Sequence, residues 1–158
     1  MIFLLACAAS PDTGATGEPA CNGAPQLCER SLDAVAFVGT HDSMSSAELG
    51  WYIPNQNDAV PTQLAAGVRA LNLDTHAWED DLWLCHGFCE LGSQPLVEGL
   101  AEITDFLEAS PREVVIITFQ DGISGEQTRD ALHHKLRIGV YSRTRQNSLS
   151  SCVSVPLS

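Results

Sequence analysis

Two histidines have the residue type and the setting for chemistry: His41, in Gly39-Thr40-His41-Asp42-Ser43, and His86, in Leu84-Cys85-His86-Gly87-Phe88. Imidazole exchanges protons near neutral pH, so a pair can divide acid and base work. One neutral ring takes a proton from an attacking hydroxyl; the other, protonated, gives one to a leaving oxygen. That division suits cleavage of a phosphodiester by a neighbouring hydroxyl, where the charge building on phosphorus needs a cation nearby. Asn72 and Asp74 are two apart, so on a strand they project from one face. With Asp42 and Gln120 they offer four oxygen donors, a calcium-like set of modest charge. Asp74 has a second use, as a carboxylate that orients a histidine.

These side chains need elements to hold them. The apolar, β-branched runs predict strands over 34–38, 68–73, 82–84 and 114–119. Each releases a polar side chain at its C-terminal end, which places one active-site mouth on a parallel β/α sheet or barrel. Pro61 and Gly67 bracket a short helix. Leu96, Leu100, Ile103 and Leu107 share one face of a predicted helix over 95–109, and Ser110-Pro111 stops it. Residues 51–58 read as an irregular loop and 78–81 as an acidic turn. Helix, loop and strand repeated in this way give right-handed parallel crossovers.

The chain has 158 residues, enough for one domain but short of the roughly 250 usual for a closed (β/α)₈ barrel. Its net charge of −12 argues against nucleic acid as a partner and against broad adhesion to anionic lipid. All 20 acidic residues lie within 1–130. Residues 131–158 carry only bases: Lys135, Arg137, Arg143 and Arg145. Two readings fit this segment: a disordered basic tail, or a chain that leaves its ancestral sequence near Ala131 by frameshift or truncation.

Leu4-Leu5-Ala6-Cys7 is similar to the processing site of bacterial lipoproteins, whose Cys takes the lipid, although the apolar stretch is shorter than the usual ~7–15 residues. Residues 1–7 therefore read as a truncated lipoprotein-type signal and 8–30 as a tether carrying a small Cys loop. Residues 31–130 hold the catalytic region. The expected location is outside the cytoplasm, as a bacterial cell-envelope lipoprotein or a secreted protein, with a lipid anchor as its link to a membrane. Cys21 with Cys28, and Cys85 with Cys89, form plausible local disulfides in an oxidising compartment. The rival for the second pair is zinc with His76, but no second dithiol or paired His motif lies nearby.

Four segments together resemble a known family. They are Gly39-Thr40-His41-Asp42-Ser43; Gln63-Leu64-(x)₂-Gly67-Val68-Arg69-Ala70-Leu71-Asn72-Leu73-Asp74; Leu84-Cys85-His86-Gly87; and Phe106-Leu107-(x)₃-Pro111-(x)₂-Val114-Val115. In this order and spacing they resemble the catalytic X region of phosphatidylinositol-specific phospholipase C, over about residues 31–123. The resemblance implies a distorted (β/α) TIM-type barrel, of which the chain would hold about the first half. It implies His41 as general base on the inositol 2-hydroxyl, His86 as general acid toward the diacylglycerol oxygen, and the inositol phosphate head group of a phospholipid as substrate. It also implies calcium at Asp42, Asn72, Asp74 and Gln120, since metal-independent bacterial members carry Arg at the position of Asp74. Asn72 and Gln120 depart from the acids of calcium-dependent members. Two alternatives stand beside the enzyme: a non-catalytic surface lipoprotein that keeps the fold, and a phosphodiesterase for another lipid.

Other residues have plainer uses. Arg69 is expected to pair with an acid of the outer helices rather than bind phosphate. Trp51 and Tyr52 serve either a lipid approach or loop packing.

Overall fold

The computed structural model describes residues 2–6, 20–135 and 139–143. The expected lipidation site Cys7, the tether 8–19 and most of the basic tail lie outside them.

The elements follow from the sequence pattern in most places. They are β1 (Ile2–Ala6), β2 (Gly39–Thr40), α1 (Val60–Ala65), β3 (Ala70–Trp78), β4 (Asp81–Cys85), β5 (Ser93–Pro95), α2 (Leu96–Ala109), β6 (Val114–Gly122), α3 (Gly125–Lys135) and β7 (Gly139–Arg143). One curled sheet runs β5-β4-β3-β6-β1-β7, with β2 also paired to β3. The result is a mixed α/β fold whose sheet is compatible with half of a barrel.

Only the centre of this sheet is parallel. β2 pairs with β3 and β3 with β6 in parallel. β4 returns antiparallel to β3, and β5 antiparallel to β4. The expectation of four parallel strands is corrected here. Glu79 and Asp80 both take left-handed φ values, 49° and 63°, which gives the tight two-residue reversal suited to a twisted antiparallel ribbon. The stretch Ile2–Ala6, read from sequence as part of an export signal, pairs antiparallel to both β6 and β7.

The first strand is shorter and later than its apolar run predicts. Leu32–Ala34 form a 3₁₀ turn, and only Gly39 and Thr40 join the ladder. Gly39 is needed there, because a Cβ on it would meet the Ala70 Cβ at 3.0 Å.

Burial separates the two faces of the central strands. Leu71, Leu73, Val115, Ile117 and Phe119 are buried with Leu96, Leu100, Ile103 and Leu107 of α2 in one core. The alternate residues Asn72, Asp74, Thr118 and Gln120 take the other face. The core holds the sheet in place while the second face carries the polar groups. Among the described residues, no helix is long and apolar enough to cross a membrane.

Candidate active site

His41 and Asp42 sit in a turn directly after β2, and Asp42 has φ 47°. Two sets of hydrogen bonds fix this unusual backbone. The buried Gln63 amide of α1 accepts from Thr40 Oγ1 at 2.7 Å and donates to the carbonyls of Ser43 and Asp58, each at 2.7 Å. Ser43 N–H donates to the Asn72 carbonyl at 2.8 Å, and Asn72 N–H donates to Ser43 Oγ at 3.0 Å. The turn is thus clamped on both sides of the His41–Asp42 pair, against α1 and against β3.

His86 reaches the same place from β4. Cys85 ends that strand, Cys89 opens a 3₁₀ turn, and a disulfide joins them around His86. The pairing expected from sequence is present, and so is Cys21–Cys28. Cysteines in disulfides do not ligate zinc, which removes the zinc reading with His76.

The two imidazoles meet at one carboxylate oxygen. His41 Nε2 and His86 Nε2 each lie 3.2 Å from Asp42 Oδ2. The two ring nitrogens are therefore no farther apart than twice that distance. Asp42 is buried, whereas the side chains of His41 and His86 are 72% and 41% exposed. The carboxylate is a fixed anchor, and both rings stay open to an incoming molecule. Asn55 Nδ2 donates to the same Oδ2 at 2.6 Å.

Partners also fix the tautomer of His41. Asn72 Oδ1 accepts the Asp42 N–H at 3.3 Å, so it acts as an acceptor toward His41 Nδ1, 2.8 Å away. Nδ1 then carries a hydrogen, and Nε2 is the nitrogen that takes up or releases a proton.

Asp74 lies on the same face of β3 as Asn72, with Gln120 beside it in the β3–β6 register. Burial, reinforced by the charge of Asp42, pushes its carboxyl above the usual range; His86, His76 and His41 pull the other way. Asp42 Oδ1 and Asp74 Oδ1 are both buried without a hydrogen-bond partner. Two orphaned carboxylate oxygens on residues close enough for one charge to act on the other are a mismatch that a cation or a proton would relieve. The fit to the expected calcium set is uneven. Asp42 and Asp74 have free oxygens, Gln120 is exposed nearby, and Asn72 Oδ1 is committed to His41 and Asp42. No cluster of three or more His, Cys, Asp or Glu suited to a metal occurs among the described residues.

Arg69 stands apart from this chemistry. Its Nε donates to Glu113 Oε2 at 2.6 Å, its Nη1 to the Leu64 and Val68 carbonyls, and its guanidinium lies 4.6 Å from the Phe106 ring centre. It is a structural pin, as expected, but its acid partner lies in the turn between α2 and β6 rather than in an outer helix, and α2 contributes the Phe106 ring. Trp51 is buried, which fits loop packing, and Tyr52 is exposed.

The sequence assigned no site role to Asn55, Gln56 or Gln63, although Gln63 opens one of the family-like segments. Gln56 Nε2 donates to the His41 carbonyl at 2.6 Å. The only signal for Asn55 and Gln56 is the density of Asn and Gln over 55–57. Gln63 carries a stronger one, a polar residue on the buried side of a short helix.

Comparisons with known proteins give the family. A family model described as PI-PLC X 1 matches residues 27–151, a span that reaches past Ala131. The chain is 34% identical over 117 residues to PI-PLC X domain-containing protein 1 of Arthroderma benhamiae, covering 72% of this chain and 38% of that protein. It is 33% identical over 103 residues to an uncharacterized secreted protein of the same organism, covering 65% and 23%. It is 28% identical over 120 residues to a 1-phosphatidylinositol phosphodiesterase of Listeria monocytogenes, covering 70% and 35%. The chain thus spans well under half the length of these relatives. No solved structure matches it significantly. With the family model covering most of its length and the two histidines converging on one carboxylate, the chain belongs to the PI-PLC X domain family.

Proposed function

We propose that this chain carries the acid–base half of a phosphatidylinositol-cleaving phosphodiesterase site. The observation that carries the reading is the approach of both Nε2 atoms to Asp42 Oδ2, at 3.2 Å each. His41, held by Asn72 through Nδ1, takes the proton of the inositol 2-hydroxyl. That oxygen attacks phosphorus, and the bond from phosphorus to the diacylglycerol oxygen breaks. His86 gives its Nε2 proton to the departing oxygen, and a cyclic inositol phosphate results. Asp42 steadies whichever imidazole is charged at each stage.

If calcium takes part, the free oxygens of Asp42 and Asp74, with the Gln120 amide, would hold it. When bound, it would supply positive charge to the phosphorane. The two disulfides and the secreted relative support an exported protein, with Cys7 as a candidate lipid anchor.

A second reading, a head-group binder without turnover, is favoured by one fact: Asn72 and Gln120 put neutral amides in the expected calcium set. Release of water-soluble phosphate ester from labelled phosphatidylinositol separates the two. The enzyme reading expects release by the wild type and none by His41→Ala or His86→Ala. Binding without release in any divalent cation would favour the second reading.

A further inference from the structure

The first disulfide loop helps to build a cavity that the proposed reaction does not use. Cys21 and Cys28 close a short loop, and Asn22 pins it to the sheet. The Asn22 amide donates to the Val114 carbonyl at 3.0 Å and accepts from the Val114 N–H at 2.8 Å. One side chain thus reaches both backbone groups of the residue that opens β6. Gln120 lies near the other end of that strand, so the loop sits at the end of the sheet away from the two histidines.

Between loop and sheet lies a cavity of about 150 Å³, lined by Leu27, Leu32, Val35 and Phe37 and by Arg30 and Arg112. None of the four apolar residues belongs to the main core. Val35 and Phe37, expected in a strand, line this cavity instead of joining the ladder. Both arginines are exposed, while Leu27, Val35 and Phe37 are half-buried. Charge therefore stands at the mouth, with apolar surface behind it.

The two arginines are set apart by their lack of acid partners. Four arginines and no lysine lie between Ala20 and Asp130. Arg69 pairs with Glu113, and Arg129 with Glu126 and Asp130. Among the described residues Arg30 and Arg112 pair with no carboxylate, although Glu29 and Asp33 neighbour Arg30 in sequence. Arg112 Nη2 donates only to the disulfide, 3.3 Å from Cys28 Sγ and 3.5 Å from Cys21 Sγ, and sulfur is a weak acceptor. In a chain of net charge −12, two unpaired cations meet at one cavity. A guanidinium fork matches a carboxylate or a phosphate, and the volume suits an apolar body of about six carbons.

We propose that this cavity binds an amphiphilic oxyanion: a carboxylate or phosphate monoester on a short apolar tail. Arg30 and Arg112 hold the head; Leu27, Leu32, Val35 and Phe37 cover the tail. The site is separate from the histidine pair and independent of turnover.

Calorimetric titration of the full chain with hexanoate and with hexyl phosphate tests this, and the tighter of the two identifies the head. The preferred ligand should bind about tenfold more tightly than its butyl counterpart, from two methylenes taken out of water. It should also bind about tenfold more tightly than hexanol, which keeps the tail and lacks the charge. These comparisons use the wild type, so they stand whatever a variant does to the fold. Arg30→Gln and Arg112→Gln should each weaken binding about tenfold, the scale of one lost charged hydrogen bond. His86→Ala should bind as wild type does. Four results would overturn the proposal: no binding of either amphiphile in the millimolar range, hexanol or inorganic phosphate binding equally well, unchanged affinity in both arginine variants, or loss of binding in His86→Ala. Binding that appears only in Glu18→Gln would show a carboxylate of the chain itself as the occupant and also overturn it.

Discussion

Asp42 Oδ2 takes three neighbours at once: the Asn55 amide at 2.6 Å and two histidine nitrogens at 3.2 Å. On the proposed mechanism this one buried carboxylate orients both the base and the acid, and its loss should hurt both. Asp42→Asn keeps the size of the side chain and removes its charge. We expect kcat to fall by about 10²–10³, the scale of removing one preorganised electrostatic partner, with KM little changed. Asn55→Ala should cost less, about tenfold, because it acts on the carboxylate rather than on substrate. Steady-state kinetics on vesicle substrate reads both.

Two carboxyls carry a pH signature. Asp74 and Glu102 are both raised, chiefly by burial, above their reference values of 3.8 and 4.5. The folded chain therefore keeps these protons to higher pH than the unfolded chain. Stability falls as pH rises from the reference values through the folded values, and stays lower at neutral pH. Glu102→Gln removes one contributor at a position remote from the chemistry. Its Tm should exceed that of wild type at pH 7, and the gap should close below about pH 4.5. A gap of opposite sign at pH 7 would contradict the assignment.

Much of this residue chemistry was legible in sequence. His41, His86 and Asp74 announce themselves by motif and by strand alternation, and the structure gathers them. Asn55 does not, because its role depends on where a loop folds back, which local spacing does not encode; Gln63 opens a family-like segment, but its clamp on the His41 turn does not follow from spacing.

Elements were legible where periodicity is strong. α2 begins one residue from its expected start and ends where Ser110-Pro111 requires. α1 ends before Gly67, whose φ of 98° closes it. β4 was placed correctly in sequence but not in direction, because Glu79-Asp80 makes a left-handed turn without the Gly or Asn that would advertise it. The first strand was misplaced because an apolar run shows burial tendency, not ladder membership.

At this scale Gln63 is the exposed weakness of the site. Gln63→Leu would remove the amide donor to the Ser43 and Asp58 carbonyls and one of the two partners of the Thr40 hydroxyl. We expect a loss of about 2–3 kcal/mol in urea unfolding, together with reduced kcat as the His41–Asp42 turn loosens. By contrast, Leu100→Ala in α2 should cost about 2–5 kcal/mol and leave the kinetics of the folded fraction close to wild type. The two variants separate positioning from bulk stability.

The molecule as a whole has a parallel centre, antiparallel flanks and one face of the sheet carrying polar groups. β3, β6 and their core form the centre, and the site gathers the turn after β2, Asn72 and Asp74 within β3, and His86 after the antiparallel β4, rather than the ends of four parallel strands. The disulfide of Cys85 and Cys89 pins one wall of that site. Both sulfurs belong to buried residues, so the bond should resist mild reductant. Reduction under denaturing conditions, followed by refolding with the thiols blocked, should lower Tm and reduce turnover. Unchanged turnover would mean that His86 is positioned without the bridge.

The most direct test of the central claim is the identity of the first phosphorus product. Phosphatidylinositol vesicles incubated with the chain and followed by ³¹P NMR should show a cyclic inositol phosphate before any acyclic ester. That signal should vanish in His41→Ala and in His86→Ala. An acyclic phosphate appearing first, or a cyclic product that persists without either histidine, would contradict the account.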